Sequence, residues 1–187
     1  LGNGGGWPTT FQDVAAGVDH LRTLAEDYAL DLARVVVAGH SAGGHLALWS
    51  AGRHRLPTES PLYVADPLRV RGVVALAGIP DLVAGVRWDL CGGAITELLG
   101  GAPDAVPDRY AQASPVELLP LGVAQWHIVG SRDAIVPPAY LQGHVAVAEK
   151  HNAVRLDILP DAGHFELVTP RSAAWPHVRS AILKLLK

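Results

Sequence analysis

The segment that most constrains how this chain folds is VVVAGHSAGGHLALW, which spans residues 35–49. It overlaps a short β-branched run, ARVVVAG (33–39), of the kind that forms a strand buried on both faces of a parallel sheet. The residues that follow, AGGHLALWSAG (42–52), predict a helix. A strand that passes directly into a helix predicts the α/β class, in which helices cover a parallel sheet.

The junction between this strand and helix carries the pattern Gly-x-Ser-x-Gly, with Ser41 at its centre. A serine at such a turn is a candidate nucleophile, because the sharp turn exposes its hydroxyl above the sheet. Gly39 and Gly43 suit the turn, since strand and helix approach closely and leave almost no room for a side chain. The backbone N–H of Ala42 is placed to stabilise an oxyanion at the helix N-terminus. The alternative is a chance strand–glycine turn without a chemical role.

The rest of the chain alternates predicted strands with predicted helices. Apolar runs predict three further strands, at 69–78, 123–130 and 154–160. Apolar positions at helical spacing predict helices over 11–28, 137–151 and 171–187. Thr10 and Asp13 have the spacing of a capping box at the start of the first of these helices. The alternation predicts a single α/β domain with a mostly parallel sheet.

Composition narrows the functional classes. The chain has 187 residues, of which 49% are hydrophobic and 18% charged, as in a single globular domain. A net charge of −3 gives no indication of nucleic acid or an anionic membrane as a partner. No apolar run reaches the roughly 18 residues that a transmembrane helix needs. Cys91 is the only cysteine, so we expect no internal disulfide, a buried thiol and a cytoplasmic protein.

A nucleophilic serine needs a base, and the base needs a group that orients it. GSRDAIVP (130–137) directly follows the third strand and offers Asp133. DAGHFELV (161–168) follows the fourth strand and offers His164. Both lie at carboxyl ends of strands, the edge where open α/β sheets place their sites. Read without this context, Asp133 is a turn residue and His164 a surface histidine.

Three other carboxylates compete weakly with Asp133 for the orienting role. Asp161 precedes His164 by three residues and is expected to shape the turn, whereas Glu166 follows His164 too closely to reach its ring easily. Asp157 falls on the polar phase of its strand. His40 and His45 flank the serine turn, and we expect them to be packing or polar-shell residues rather than bases. The other histidines show no metal-ligand pattern.

Four segments together resemble an α/β-hydrolase of the esterase branch, and the resemblance covers nearly the whole chain. They are GHSAGGHLALW (39–49), SPVELLP (114–120), GSRDAIVP (130–137) and AGHFELVTP (162–170). The chain is similar to prolyl-oligopeptidase-like esterases, feruloyl and acetyl esterases, and kynurenine formamidases. This resemblance implies a three-layer α/β-hydrolase sandwich.

The resemblance also implies a serine hydrolase that cleaves carboxylic esters or small amides through an acyl-enzyme, without a cofactor or metal. Ser41 would attack, His164 would move the proton, Asp133 would hold the imidazole, and Ala42 N–H would stabilise the oxyanion. Arylformamidase or peptidase activity is the alternative within this class. A non-catalytic binding module or an inactive fragment is the alternative from another class. The expected partner is a small-molecule ester or amide.

The glycine-rich start of the chain, LGNGGGWPTT, does not bind a phosphate in this interpretation. It follows no strand and has neither G-x-G-x-x-G nor GK[ST] spacing. We expect a turn that places Trp7 near the rim of the site. The related enzymes carry about four strands and a second oxyanion donor before this point. We therefore expect only the C-terminal half of the fold, with about four strands and the strand at 34–38 paired on one side only.

The segment from 80 to 121 is rich in Gly and Pro and predicts a lid-like insertion over a sheet edge. One short helix is predicted within it, at 94–99. Trp88 and Leu90 are candidates for an apolar acyl pocket, because the segment follows a strand end and combines aromatic residues with flexible glycines. The alternative for Trp88 is simple packing under the loop.

Overall fold

A computed structural model describes residues 4–151 and 153–187 of the chain. Four parallel strands form one sheet in the order β1-β2-β3-β4. They are β1 (Val36–His40), β2 (Gly72–Leu76), β3 (Ala124–Gly130) and β4 (Val154–Leu159). The α/β class, the parallel sheet and the count of about four strands are confirmed.

Eight α-helices accompany these strands in the described residues. They are α1 (Thr9–Asp19), α2 (Leu21–Asp27), α3 (Ala42–Gly52), α4 (Leu82–Arg87), α5 (Ala94–Leu99), α6 (Pro107–Ala113), α7 (Pro138–Ala148) and α8 (Trp175–Leu185). Short 3-10 segments lie at Leu32–Arg34, Arg53–Arg55, Leu90–Gly93, Pro115–Leu118 and Phe165–Val168. None of the helices that the structure describes could cross a lipid bilayer.

The sheet lies between two helical layers, as the alternation of side chains along β3 makes clear. Trp126 faces α8, where the Nζ atom of Lys184 lies 5.4 Å from its ring centroid. His127 points to the opposite face, and its ring centroid lies 5.3 Å from that of His144 on α7. The chain therefore has the three layers of the predicted sandwich. Burial of apolar side chains against both faces is the main source of its stability.

The predicted helix over 11–28 is divided into two helices, because α1 ends at Asp19 and α2 begins at Leu21, with His20 between them. Asp19, the last residue of α1, is held from outside the helix: its carboxylate accepts from Leu68 N–H at 2.8 Å and pairs with the Arg53 guanidinium. The predicted capping box is also wrong. The Thr10 hydroxyl accepts a hydrogen bond from Gly6 N–H at 2.9 Å, so it closes the preceding turn instead of capping α1.

Strand β1 pairs with β2 and with no other strand among the described residues. The expectation of a neighbour on one side only is confirmed, although the strand begins at Val36 and not at Arg34. The prediction that this strand is buried on both faces is wrong for the described chain. Its residues are half-buried and Ala38 is exposed, because no strand covers its outer edge there.

The segment from 80 to 121 is more ordered than expected, since it holds α4, α5 and α6. Helix α5 begins and ends as predicted, at Ala94 and Leu99. The expectation of a buried thiol is wrong, because Cys91 is exposed. Cys91 has a left-handed φ of 64°, and Gly92 and Gly93 also have positive φ. This local run of left-handed residues turns the thiol outward rather than into the core.

Candidate active site

Ser41 lies directly after β1 and directly before α3, at the sharp turn that the sequence predicts. Its backbone has φ 54° and ψ −120°, a conformation that side-chain-bearing residues rarely adopt. Its N–H donates to the carbonyl of Leu76 at 2.8 Å, which ties the turn to the end of β2. The Ser41 hydroxyl has no hydrogen-bond partner within the described chain. A strained backbone that presents an unpaired hydroxyl is typical of a functional position.

The turn depends on glycine at two places where the strand and the helix meet. A Cβ atom on Gly39 would collide with the carbonyl group of Gly43. A Cβ atom on Gly44 would lie 2.8 Å from the Cα atom of Gly78, which follows β2. The prediction that Gly43 is needed for close approach is wrong, because a Cβ there has open space around it. The requirement for a small residue falls on Gly44 instead.

Ala42 is the first residue of α3 and is exposed. The first N–H groups of a helix have no acceptor within the helix, and the helix dipole makes this end attractive to negative charge. The Ala42 N–H thus lies beside the Ser41 hydroxyl, free of an intrahelical bond. The role of Ala42 as an oxyanion donor stays a prediction.

Asp133 and His164 lie together in the interior of the site. Nδ1 of His164 lies 2.7 Å from a carboxylate oxygen of Asp133, and both side chains are buried. The other Asp133 oxygen accepts from the N–H groups of Ile135 and Val136 at 2.9 and 2.8 Å. The carboxylate is therefore fixed by its own loop and directed at the imidazole. Such a contact selects one tautomer of the ring and leaves Nε2 available to accept a proton.

The competing carboxylates are occupied elsewhere in the described structure. Asp157 accepts from the Trp126 indole at 2.8 Å. Glu166 accepts from Gly163 N–H at 3.1 Å, and Asp161 forms an exposed ion pair with Arg132. None of the three forms a hydrogen bond or an ion pair with the His164 ring in residues 4–151 and 153–187. Of the four carboxylates, Asp133 is the one that forms a hydrogen bond with the His164 ring in the described chain.

His164 lies beside the serine turn, where it contacts the residue that precedes Ser41. The ring centroids of His40 and His164 are 4.4 Å apart, and Nε2 of His40 lies 2.9 Å from the carbonyl oxygen of His164. No hydrogen bond joins the Ser41 hydroxyl to His164 in the described residues, so that link stays a prediction. The ring contact and the hydrogen bond agree with the packing or polar-shell role expected of His40, but the sequence does not predict His164 as the partner. The position of His40 next to the nucleophile was the available signal.

His45, the second histidine that flanks the turn, is buried under α6. Its Nε2 lies 2.9 Å from the carbonyl oxygen of Ala113, and its ring packs edge-on against Phe11. Burial lowers the pKa of His45 to about 4, so the ring is neutral at physiological pH. This supports the expectation that His45 packs rather than acts as a base.

The glycine-rich start forms a turn before α1, as far as the structure describes it. Residues 1–3 lie outside the described residues. The N–H of Gly6 is bound to Thr10, and the N–H of Trp7 donates to the carbonyl of Leu98 at 2.8 Å. The Trp7 ring packs edge-on against Phe11, with centroids 5.7 Å apart. Both N–H groups are thus bonded within the described chain, as in an ordinary turn before a helix.

The two acyl-pocket candidates have different environments. Leu90 is buried in the core, whereas Trp88 is half exposed. The Trp88 ring stands edge-on to Tyr140, and both line a cavity of about 130 Å³ between α4 and α7 that also reaches His144. Ser41, Asp133 and His164 do not line this cavity. The acyl-pocket role of Trp88 and Leu90 therefore stays a prediction.

No three His, Cys, Asp or Glu side chains in residues 4–151 and 153–187 are grouped so that they could hold a metal ion.

A family model named BD-FAE matches residues 3–143, which is more than half of the chain and includes the serine turn and Asp133. The chain belongs to the BD-FAE family. The match ends before His164, so the family model does not cover that residue. No curated protein matches this BD-FAE chain.

Solved structures share the fold of this BD-FAE chain. A bifunctional GH43-CE protein of Bacteroides eggerthii superposes with a TM-score of 0.78 at 21% identity, over 96% of this chain and 27% of its own. A truncated carbohydrate esterase from gut microbiota superposes with a TM-score of 0.76 at 20% identity, over 97% of this chain and 70% of its own. An acetyl ester-xyloside bifunctional hydrolase of Caldicellulosiruptor lactoaceticus superposes with a TM-score of 0.74 at 20% identity, over 96% of this chain and 65% of its own. The BD-FAE chain thus spans between 27% and 70% of these proteins, and the likeness shows an α/β-hydrolase fold.

Proposed function

We propose that this chain carries the catalytic centre of a serine hydrolase that cleaves carboxylic ester bonds through an acyl-enzyme. The observation that carries the proposal is the buried contact of 2.7 Å between His164 and Asp133, next to the turn in which Ser41 has a positive φ of 54°. A nucleophile, a base and an orienting acid are what acyl transfer by serine requires.

In the proposed reaction, the Ser41 hydroxyl attacks the ester carbonyl carbon while Nε2 of His164 takes the hydroxyl proton. The Asp133 carboxylate stabilises the imidazolium that forms and holds its orientation. The carbonyl oxygen becomes an oxyanion, which the Ala42 N–H binds at the N-terminus of α3.

Collapse of this tetrahedral intermediate breaks the ester C–O bond, and His164 returns the proton to the departing alcohol. Water then attacks the acyl-enzyme with His164 again as base. Collapse of the second intermediate releases the carboxylic acid and restores the Ser41 hydroxyl.

The related structures support an ester as the substrate. One is a carbohydrate esterase and another is a carboxylesterase of Lactobacillus plantarum, which superposes with a TM-score of 0.74 at 21% identity, over 98% of this chain and 70% of its own. Small amides remain within the proposed class, since an acyl-enzyme forms from either bond. A panel of short acyl esters and the matching amides separates the two.

The test is covalent labelling of the protein with a fluorophosphonate probe, together with hydrolysis of a short p-nitrophenyl ester. Ser41→Ala should abolish both, because the probe and the ester need the same nucleophile. Ser180→Ala makes the same change on α8 away from the site, and it should leave both intact. The proposal is wrong if Ser41→Ala is still labelled and still hydrolyses the ester. It is also wrong if the unaltered protein is not labelled and does not hydrolyse the ester.

The acyl pocket is tested separately, because Trp88 can line a pocket without any role in the chemical step. Trp88→Ala should change the preference among acetyl, butyryl and hexanoyl esters and leave fluorophosphonate labelling intact. Trp88→Phe keeps an aromatic ring and should retain the original preference. An unchanged preference in Trp88→Ala would remove Trp88 from the pocket.

A further inference from the structure

His40 occupies a position that the proposed reaction does not use. It is the last residue of β1 and immediately precedes Ser41. Its ring packs against the ring of His164 with centroids 4.4 Å apart. Its Nε2 lies 2.9 Å from the backbone carbonyl oxygen of His164. Since a carbonyl oxygen only accepts, the His40 Nε2 carries the proton and donates it.

The sheet itself does not hold the base close to the nucleophile. Ser41 follows β1 and His164 follows β4, and β2 and β3 lie between these strands. The loop before His164 is tied to β3 instead, where the N–H of Arg132 donates to the carbonyl of Ala162 at 2.9 Å. The contact with Asp133 also belongs to the β3 side.

The hydrogen bond from His40 therefore links the serine turn after β1 to the loop that carries His164. No other hydrogen bond joins residues 160–166 to residues 39–43 in the part of the chain that the structure describes. Because His40 and Ser41 share a peptide bond, a donor on His40 fixes the His164 loop relative to the very residue that must lose its proton. Phe165 adds a further contact, because its ring centroid lies 6.0 Å from that of His40.

His40 can do this without competing as a base. The pKa of His40 lies below its usual value. Partial burial and the neighbouring His164 ring lower this pKa by more than the bond to the His164 carbonyl and the Asp133 charge raise it. The ring is thus a neutral donor at physiological pH. Asp133 remains directed at His164.

We propose that His40 is a positioning residue for the reaction at Ser41: its Nε2–H, bound to the His164 carbonyl, sets the distance between the His164 ring and the Ser41 hydroxyl. This rests on the function proposed above. Misplacing a catalytic group by about 1 Å costs on the order of 10²-fold in rate. The loss should fall on the chemical step, because His40 is not invoked in substrate binding.

The first test replaces the donor and then restores it. His40→Leu should lower kcat by about tenfold to a hundredfold with little change in KM. His40→Gln places an amide N–H within similar reach of the carbonyl and should recover most of the loss. His54→Leu is the matched control, because His54 also binds a backbone carbonyl, that of Ala51 at 3.1 Å, at the far end of α3. It should leave kcat unchanged.

The second test asks whether His40 acts through His164. In a His164→Ala background, adding His40→Leu should not lower the residual rate further. Thermal melting and the labelled fraction are measured for each variant, so that kcat is expressed per reactive serine. The proposal is overturned if His40→Leu and His40→Gln lower kcat equally. It is also overturned if His40→Leu lowers kcat as much in the His164→Ala background as in the unaltered protein. If Ser41→Ala stays active, the proposed function fails by itself, whatever His40 does.

Discussion

Asp133 and His164 meet at 2.7 Å although they follow different strands, β3 and β4. These strands are neighbours and parallel, so their carboxyl ends open at the same edge of the sheet. Each loop then needs only a few residues to bring its side chain over that edge. Burial of both groups keeps water away and strengthens the charge–imidazole interaction. The sheet order thus explains why two distant positions in the sequence form one unit.

Asp133→Asn should lower kcat by about 10³- to 10⁴-fold and leave the fold intact. The amide oxygen can still accept from Ile135 and Val136 N–H, so the loop keeps its shape. The amide nitrogen then faces His164 and favours the wrong tautomer of the ring. Steady-state kinetics and melting temperature, measured together, separate this effect from unfolding.

Asp161→Asn is the matched control for this change. Asp161 lies three residues before His164, is exposed and has a left-handed φ of 60°, which asparagine tolerates. Its replacement should leave kcat within about twofold, since exposed ion pairs contribute little. A large loss in Asp161→Asn, or a small one in Asp133→Asn, would mean that the wrong carboxylate has been assigned.

The strands, the main helices and the sheet class could be predicted from sequence, because each depends on local apolar patterns. The continuous run before Gly39 predicts a strand regardless of its partners. The positions of Asp133 and His164 follow from the same reasoning, since a residue just after a parallel strand must lie at the carboxyl edge. The order of the strands in the sheet, with β3 beside β4, is the further information that places Asp133 next to His164.

Features set by distant contacts could not be predicted in this way. The helical spacing from 11 to 28 gives no sign of the division at His20, nor of the contacts that Asp19 makes with Leu68 and Arg53. Cys91 is apolar enough for a core, but its left-handed backbone turns it to solvent. The contact between His40 and the His164 carbonyl joins residues 124 positions apart, and no local pattern encodes it.

The glycines at the serine turn should differ sharply when each is replaced by alanine. Gly39→Ala forces a collision with the Gly43 carbonyl and should prevent folding or cost several kcal/mol of stability. Gly43→Ala meets open space within α3 and should be neutral or stabilising by up to about 1 kcal/mol, because alanine favours helix. Denaturant unfolding of the soluble variants measures the difference. Equal stability of the two variants would refute the steric assignment.

The interior between β3 and α7 should make the protein sensitive to acid. Burial lowers the pKa of His127 to about 3 and that of His144 to about 4, with each ring also close to the other. In the unfolded chain a histidine has a pKa of about 6.5. The unfolded state therefore binds more protons below that pH, so stability is complete above about pH 6.5 and is lost as the pH falls towards 4. Each ring should remove about 2 kcal/mol from the free energy of unfolding between pH 7 and pH 5.

His144→Leu tests this prediction, because both ring nitrogens of His144 lack a hydrogen-bond partner in the described chain and an apolar side chain loses no bond. The variant should show a weaker fall in unfolding free energy between pH 7 and pH 5. His177→Leu on α8 replaces an exposed histidine and should follow the unaltered protein. If all three proteins lose stability in parallel, the buried rings are not the cause.

The outer edge of β1 should make the isolated chain associate with itself. Unpaired N–H and C=O groups along an edge strand are a template for another strand, and natural proteins discourage this with charged residues, lysine above all. Val36, Val37 and Ala38 offer no such charge, and Ala38 is exposed beside the unpaired edge. Ala38→Lys should therefore reduce concentration-dependent light scattering. Ala33→Lys adds the same charge to an exposed residue in the 3-10 turn before the strand, so it controls for net charge. An equal reduction in both variants would assign the association to charge alone, and its absence in the unaltered protein would show that this edge is protected.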